Sequence, residues 1–184
     1  MADFDGCQLT SGLSLDCRDS NGGIEKVFIA TTDGGDITYT TASVTGCPDQ
    51  VDAISVGGVA LSNTDFYEFQ VPKQTSNFVE TVTISSENGT VFWEQVVNLV
   101  FNKMQCTTRD QMLILAQNTR MIVAVKDNNG EYWLVGLERG AEMTGGTSET
   151  GTAYGDRNGY TVVITGREIS AAYNVLPTLV DANA

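Results

Sequence analysis

The stretch that decides the fold runs from Thr119 to Glu168: TRMIVAVKDNNGEYWLVGLERGAEMTGGTSETGTAYGDRNGYTVVITGRE. It opens with Met121, Val123 and Val125 alternating with Ile122, Ala124 and Lys126, breaks at Asp127-Asn128-Asn129-Gly130, and resumes as Glu131 to Leu137. β-Branched and aromatic flanks around an Asn-Gly pair predict a hairpin, because a tight primed turn needs two residues that tolerate positive φ. Glu138 to Gly159 is then polar and glycine-rich, and a clear strand follows at Tyr160 to Thr165. A polar connection of that length between strands is unusual in a compact domain. It is expected to be a long loop or docking arm, the part of the chain that meets something else.

Upstream, two strands at Asn77 to Lys103 flank Ser85-Ser86-Glu87-Asn88-Gly89. With Asn88-Gly89 as a two-residue turn, Phe78 faces Leu99 and Glu87 faces Thr90. One face then carries the predicted core, Phe78, Val82, Ile84, Trp93, Val97 and Leu99, interrupted only by Glu80 and Gln95. The other carries Val79, Thr81, Thr83, Glu94, Val96 and Asn98. A one-residue slip would mix the two sets, so the pattern supports the register. The second strand, Thr90 to Asn102, would reach about 40 Å at roughly 3.3 Å per residue and would overhang a core of this size.

Further strands are expected at Ile24 to Thr31, with Val27 and Ile29 on one face and Ile24, Phe28 and Ala30 on the other, at Ile37 to Val44, and at Val51 to Val56 after a Gly46-Cys47-Pro48-Asp49 turn. Asp65 to Val71 reads as a strand burying Tyr67, Phe69 and Val71. The one strong helix is Thr108 to Gln117, with Thr107 or Thr108 as cap, Gln111 as capping-box partner, Asp110 at the positive end of the dipole, and Met112, Leu113, Leu115 and Ala116 as its apolar side. Pro177 to Ala184 reads as a tail. No repeat or linker divides the chain, so residues 1–184 are expected to be a single, mainly β domain: a sandwich or barrel with one packed α-helix and a long β-hairpin.

The chain has 184 residues, 23 acidic against 10 basic, no histidine, a net charge of -13 and 41% hydrophobic residues. A nucleic-acid binder needs clustered Lys and Arg, so specific DNA binding is not expected. The first residues show neither a basic nor an apolar signal region, and no apolar run spans a bilayer; folding in a cytoplasm, with no membrane partner, is the expectation. Cys7, Cys17, Cys47 and Cys106 lack CxxC spacing and read as separate reduced thiols.

Catalytic chemistry is poorly supplied, and no catalytic, cofactor or metal residue is assigned. Glu80, on an otherwise apolar face, is the best candidate for a shifted pKa, with partnership to a lysine or a subunit contact as its structural alternative. Gly145-Gly146 to Gly155 lacks GxGxxG spacing and precedes a strand where a dinucleotide loop needs a helix. Asp127 to Glu131 misses the spacing of a calcium loop. Asn88-Gly89-Thr90 is a glycosylation sequon only in form.

The linear order of Asp127 to Gly130, Trp133 to Gly140, Thr144 to Gly146, Thr150-Gly151 and Gly155 to Tyr160 resembles the C-terminal half of the tail tube (major tail) proteins of long-tailed bacteriophages. The resemblance implies a structural virion protein of the viral tail, not an enzyme. It implies self-association into hexameric rings stacked as a tube, in which a long hairpin from each subunit joins a β-barrel around a lumen that conducts DNA during ejection. It further implies assembly in the host cytoplasm with other tail proteins (baseplate or tip, tape measure, terminator, sheath). Carried onto this chain, Thr81, Thr83, Glu94 and Asn98 would face an acidic lumen that repels DNA. Thr144, Gly145, Gly146, Thr150, Gly151, Asp156 and Arg157, within the 138–159 segment, would form the inter-subunit or inter-ring arm. The tube of a bacterial contractile injection system would share these features. A different class of protein also fits: a monomeric carbohydrate- or receptor-binding β-sandwich, with Tyr132, Trp133 and Tyr154 as its aromatic cluster.

Overall fold

The computed structural model describes residue 12 and residues 18–32, 34–44 and 47–182; Cys7, Cys17, Gly46, the Cys47 side chain and the last two residues of the expected tail lie outside the described residues. The described residues form a mainly β fold of twelve strands and two helices. In chain order these are β1 (Ile24–Thr31), β2 (Ile37–Val44), β3 (Cys47–Val56), β4 (Val59–Ala60), β5 (Tyr67–Gln70), β6 (Asn77–Ser85), β7 (Thr90–Asn102), α1 (Cys106–Gln117), β8 (Met121–Asp127), β9 (Tyr132–Val135), β10 (Ala141–Glu149), β11 (Gly159–Glu168), β12 (Tyr173–Asn174) and α2 (Pro177–Val180).

The decisive stretch organises all of it. β8 pairs with β1 and with β9, while its first residue, Met121, pairs with Ala141 at the start of β10. Between β9 and β10 the chain turns a corner at Gly136 to Gly140, leaving one layer, β5-β1-β8-β9-β12, for a second, β10-β11-β7-β6. The corner needs glycine: Gly136 has φ 75°, and a Cβ there would lie 2.3 Å from the backbone nitrogen of Ala141.

Between these layers lies one core, in which Val27, Ile29, Met121, Val123 and Val125 meet Val97, Leu99, Val162 and Ile164, with Met112 and Leu115 of α1 closing the end. The reverse face of β1, β8 and β9 holds Phe28, Ala30, Ile122, Ala124 and Leu134, which pack on Val51 and Ile54 of the separate β2-β3-β4 sheet. β8 is therefore buried on both faces, which is why Met121 to Val125 is an unbroken apolar run. Each such side chain removed from water contributes about 1.5–3 kcal/mol before entropy is counted.

Several local expectations change in three dimensions. At Asp127 to Glu131 the loop is three residues long, with Asp127 N–H donating to Glu131 O at 2.9 Å and Lys126 opposite Tyr132. Only Gly130 has positive φ (94°), so one left-handed residue, not two, makes the turn. A register shift between Ile24 and Lys26 rotates Ile24 onto the Val27/Ile29 side. In the Asp65 to Val71 segment Phe66 is buried and Tyr67 is exposed, because β5 is an edge strand whose Phe66 end reaches the second core. β3 begins at Cys47, so Cys47 to Asp49 is strand and not turn.

α1 starts at Cys106 behind an N-cap, Gln105, that makes no side-chain capping bond. Thr107 and Thr108 thus lie inside the first turn, and of the expected apolar side only Met112 and Leu115 are buried, with Leu113 exposed. The C-terminal segment is no loose tail. Val180 fills the second core, and the Asp181 carboxylate accepts from the Tyr132 hydroxyl at 3.1 Å and pairs with Lys26 at 3.5 Å. Among the described residues no helix is long and apolar enough to cross a membrane.

Candidate assembly surface

The β10-β11-β7-β6 layer and the 150–158 loop that joins two of its strands hold every residue singled out as core, lumen or arm. In its β6–β7 hairpin Ser85 pairs with Thr90 and Phe78 with Val97, so the loop is four residues, Ser86 to Gly89, and the expected partners are offset by two. An even offset changes partners but keeps each side chain on its face. The two polar interruptions turn out to face each other. Gln95 Nε2 donates to Glu80 Oε1 at 3.0 Å, the Gly136 N–H donates to Gln95 Oε1 at 3.3 Å, and the Ala172 N–H donates to Glu80 Oε1 at 2.6 Å. Glu80 therefore has an amide and a backbone N–H as partners, where a lysine was one expectation. The trio ties the hairpin to the glycine corner and to the segment before β12.

Of the predicted core residues, Val97 and Leu99 are fully buried and Phe78 and Trp93 half-buried. Val82 and Ile84 are not core: they are 40% and 69% exposed, because the hairpin extends past the layer it packs on. Val91, opposite Ile84, and Ile169 are also exposed, leaving an apolar tip.

Register places Thr81, Thr83, Glu94 and Asn98 together on the outward face, beside Thr161, Val163 and Thr165 of β11. The face is less acidic than expected. Glu94 Oε1 pairs with Arg167 (Nη2 2.9 Å, Nε 3.0 Å), and Glu149 pairs with Arg157. These pairs cancel, and threonine, asparagine and valine dominate what is left.

The expected 138–159 loop is largely strand. β10 pairs along its length with β11 through Met143 to Ile164, Gly146 to Val162 and Glu149 to Gly159, with a bulge between Met143 and Gly145. Thr144 and Thr165 share a hydroxyl hydrogen bond at 2.9 Å, and a Cβ on Gly146 would lie 3.0 Å from Thr161 O, so that glycine permits close strand approach. Glycine, serine and threonine give little apolar alternation, and the neighbour β11 supplies the order that the local pattern lacks. Only residues 150–158 form a loop. In it Gly151 has φ 69°, and Asp156 accepts from the N–H groups of Thr152 and Ala153 at 2.8 and 2.7 Å and from the Thr152 hydroxyl at 3.2 Å. Those donors hold the Asp156 carboxyl below the usual carboxylate range. Arg157 also donates to the Thr161 hydroxyl at 2.8 Å and to Tyr160 O at 3.2 Å.

Both edges of this layer are open. Among the described residues β6 pairs only with β7, and β10, past Ala141, pairs only with β11. β6 (NFVETVTIS) carries neither lysine nor proline, the usual protections of an exposed edge.

One carboxyl is shifted upward, and sequence reasoning missed it. Glu168, opposite Trp93 and 2% exposed, has its carboxyl pushed up to about 7 by burial, with nearby Glu138 adding to the shift and the Arg139 N–H, 3.2 Å from both oxygens, opposing it. Its position next to a basic residue at a strand end gave no hint of burial. Cys106 is exposed and free. Tyr132 is buried, so it cannot join Trp133 and Tyr154 in an exposed aromatic platform. A scan against protein-family models and a search of curated proteins return no match.

Proposed function

We propose that this chain is a structural subunit that polymerises through the β10-β11-β7-β6 layer into stacked rings, as the tail tube subunit of a long-tailed phage. The observation that carries this reading is the pair of open edges. An unprotected nine-residue edge at β6 and a second open edge at β10 are heterologous surfaces, and copies joined β6 to β10 add four strands each until the rotation closes a barrel. Closure removes both edges.

In such a ring the outward face becomes the lumen wall. Glu94 and Glu149 neutralise Arg167 and Arg157, so neither of these two guanidinium groups is left free for a passing phosphate backbone. Thr81, Thr83 and Asn98 present only neutral groups. The layer beyond, α1 included, forms the outer wall.

Negative-stain electron microscopy of concentrated protein, alone and with nucleating tail components, tests the proposal. Rings or hollow filaments are expected, and placing proline at Val82 of β6, an exposed position whose N–H points away from β7, should abolish them while monomer remains folded. A protein that stays monomeric at high concentration with those components present would sink it.

A further inference from the structure

The two ends of the β10-β11-β7-β6 layer carry features that fit each other. They are separated by the ten-residue β11, about 30 Å at roughly 3.4 Å per residue. At one end Tyr154 crowns the 150–158 loop with 113% relative exposure, its ring touching nothing that would bury it. The loop beneath is locked by the Asp156 bonds to Thr152 and Ala153 and by Arg157 on Glu149. An aromatic ring held out by a rigid loop has little ordering entropy left to lose on docking, which is what an interface anchor requires.

At the other end a cleft of about 310 Å³ lies between the hairpin tip and the end of β11, lined by Val91, Phe92, Arg139, Arg167 and Ile169. Val91, Phe92 and Ile169 are 52%, 38% and 59% exposed. The cleft is at the small end of ligand-sized cavities, with room for one ring. Charge matches as well. Of the charged groups lining the cleft, Arg167 is paired with Glu94 and Glu168 is buried and held by the Arg139 N–H, while the Arg139 guanidinium makes no ion pair among the described residues; Asp156, two residues from Tyr154, accepts only from N–H groups and a hydroxyl.

Because ring and cleft sit at opposite ends of one subunit, they can meet only between copies. We infer that Tyr154 of one copy inserts into the Val91–Phe92–Ile169 cleft of the next, with Asp156 against Arg139, as the lengthwise contact between successive subunits. This deepens the tube reading and rests on it for the direction of stacking. A heterologous contact that does not close by rotation propagates without limit, as a tube's length demands.

The test uses the full chain and three variants, Tyr154→Asp, Ile169→Asp and Tyr154→Phe, all at exposed positions whose thermal melting should match the parent. Sedimentation velocity and negative-stain microscopy read rings and stacks separately. The two Asp variants should keep rings and need at least about 10-fold more protein to stack, and Tyr154→Phe should stay within about 3-fold of the parent. Preformed Tyr154→Asp rings mixed with Ile169→Asp rings retain one intact contact and should pair once and stop. Stacking unchanged in both Asp variants, failure of the mixed rings to pair, or parent rings that never stack would overturn the contact and leave the ring reading standing. Strings without rings that Tyr154→Asp abolishes would keep the contact and overturn the ring. A parent chain that stays monomeric overturns both.

Discussion

Gln95 and Glu80 show how much a single buried amide can hold. Gln95 is 1% exposed and satisfies Glu80 with its Nε2 and the Gly136 N–H with its Oε1. Gln95→Ala leaves both groups short of a partner in the core and should cost about 2–3 kcal/mol in urea denaturation. A cost under about 0.5 kcal/mol would mean that water enters the corner freely. Leu99→Ala, at a fully buried site, should cost about 2–5 kcal/mol, whereas Val82→Ala, on the overhanging tip, should lie within about 0.5 kcal/mol of the parent. Equal losses would put the tip back in the monomer's core. Glu168 adds a pH dependence. With its carboxyl raised to about 7 from an ordinary value of 4.5, the folded state binds a proton that the unfolded state has already released between those values. Its contribution to stability is therefore full below about pH 4.5 and lost as pH rises through 7, by on the order of 1–3 kcal/mol. Glu168→Gln should flatten that part of the stability profile, and an unchanged profile would assign it to another group.

At the scale of elements, the β6–β7 hairpin separates what a loop sets from what a face sets. Deleting Ser86 and Glu87 leaves Asn88-Gly89 as a two-residue turn and keeps Ser85 opposite Thr90, so stability should stay within about 1 kcal/mol of the parent. Deleting Glu87 alone leaves a three-residue loop ending in the left-handed Gly89, as at Asp127 to Glu131, and should also keep Ser85 opposite Thr90; a changed Trp93 fluorescence would instead report exchanged faces. The faces were legible beforehand because their alternation is a property of one strand at a time. Loop lengths were not: both Asn-Gly turns carry extra residues, since closure depends on where the partner strand lies. β10 was hidden for a related reason. Its glycines and threonines carry no apolar period, and only pairing with β11 makes it a strand.

For the whole molecule, a net charge of -13 makes every copy repel every other. If assembly runs on edge pairing and apolar contacts, screening should help it, and raising salt from about 0.01 M to about 0.1 M, which shortens the Debye length from roughly 30 Å to 10 Å, should lower the concentration at which assemblies appear. Dissolution by salt would instead assign the contacts to ion pairs. In the proposed tube Glu94 has a separate role. Glu94→Gln unmasks Arg167 and should cost under about 1 kcal/mol in the subunit, yet it should make assembled tubes retain DNA in a salt-dependent way, and Glu94→Lys more so. Tubes that ignore DNA in both variants would show that this face is not the lumen.

The sequence alone determined the mainly β class, the β8–β9 and β6–β7 hairpins, the two faces of the latter, the position of α1 within two residues at its start, and an acidic balance that disfavours nucleic-acid binding. These follow from short-range periodicity and composition, which a chain carries without reference to its partners. Only the tertiary structure decided that Glu138 to Gly159 is mostly strand, that Val82 and Ile84 overhang the core, that Glu94 is matched by Arg167, that Val180 and Asp181 seal the interior, and that Tyr154 stands at the far end from an open cleft. Each of these depends on which residues distant in sequence come together, and an amino-acid pattern read along one strand does not contain that distance.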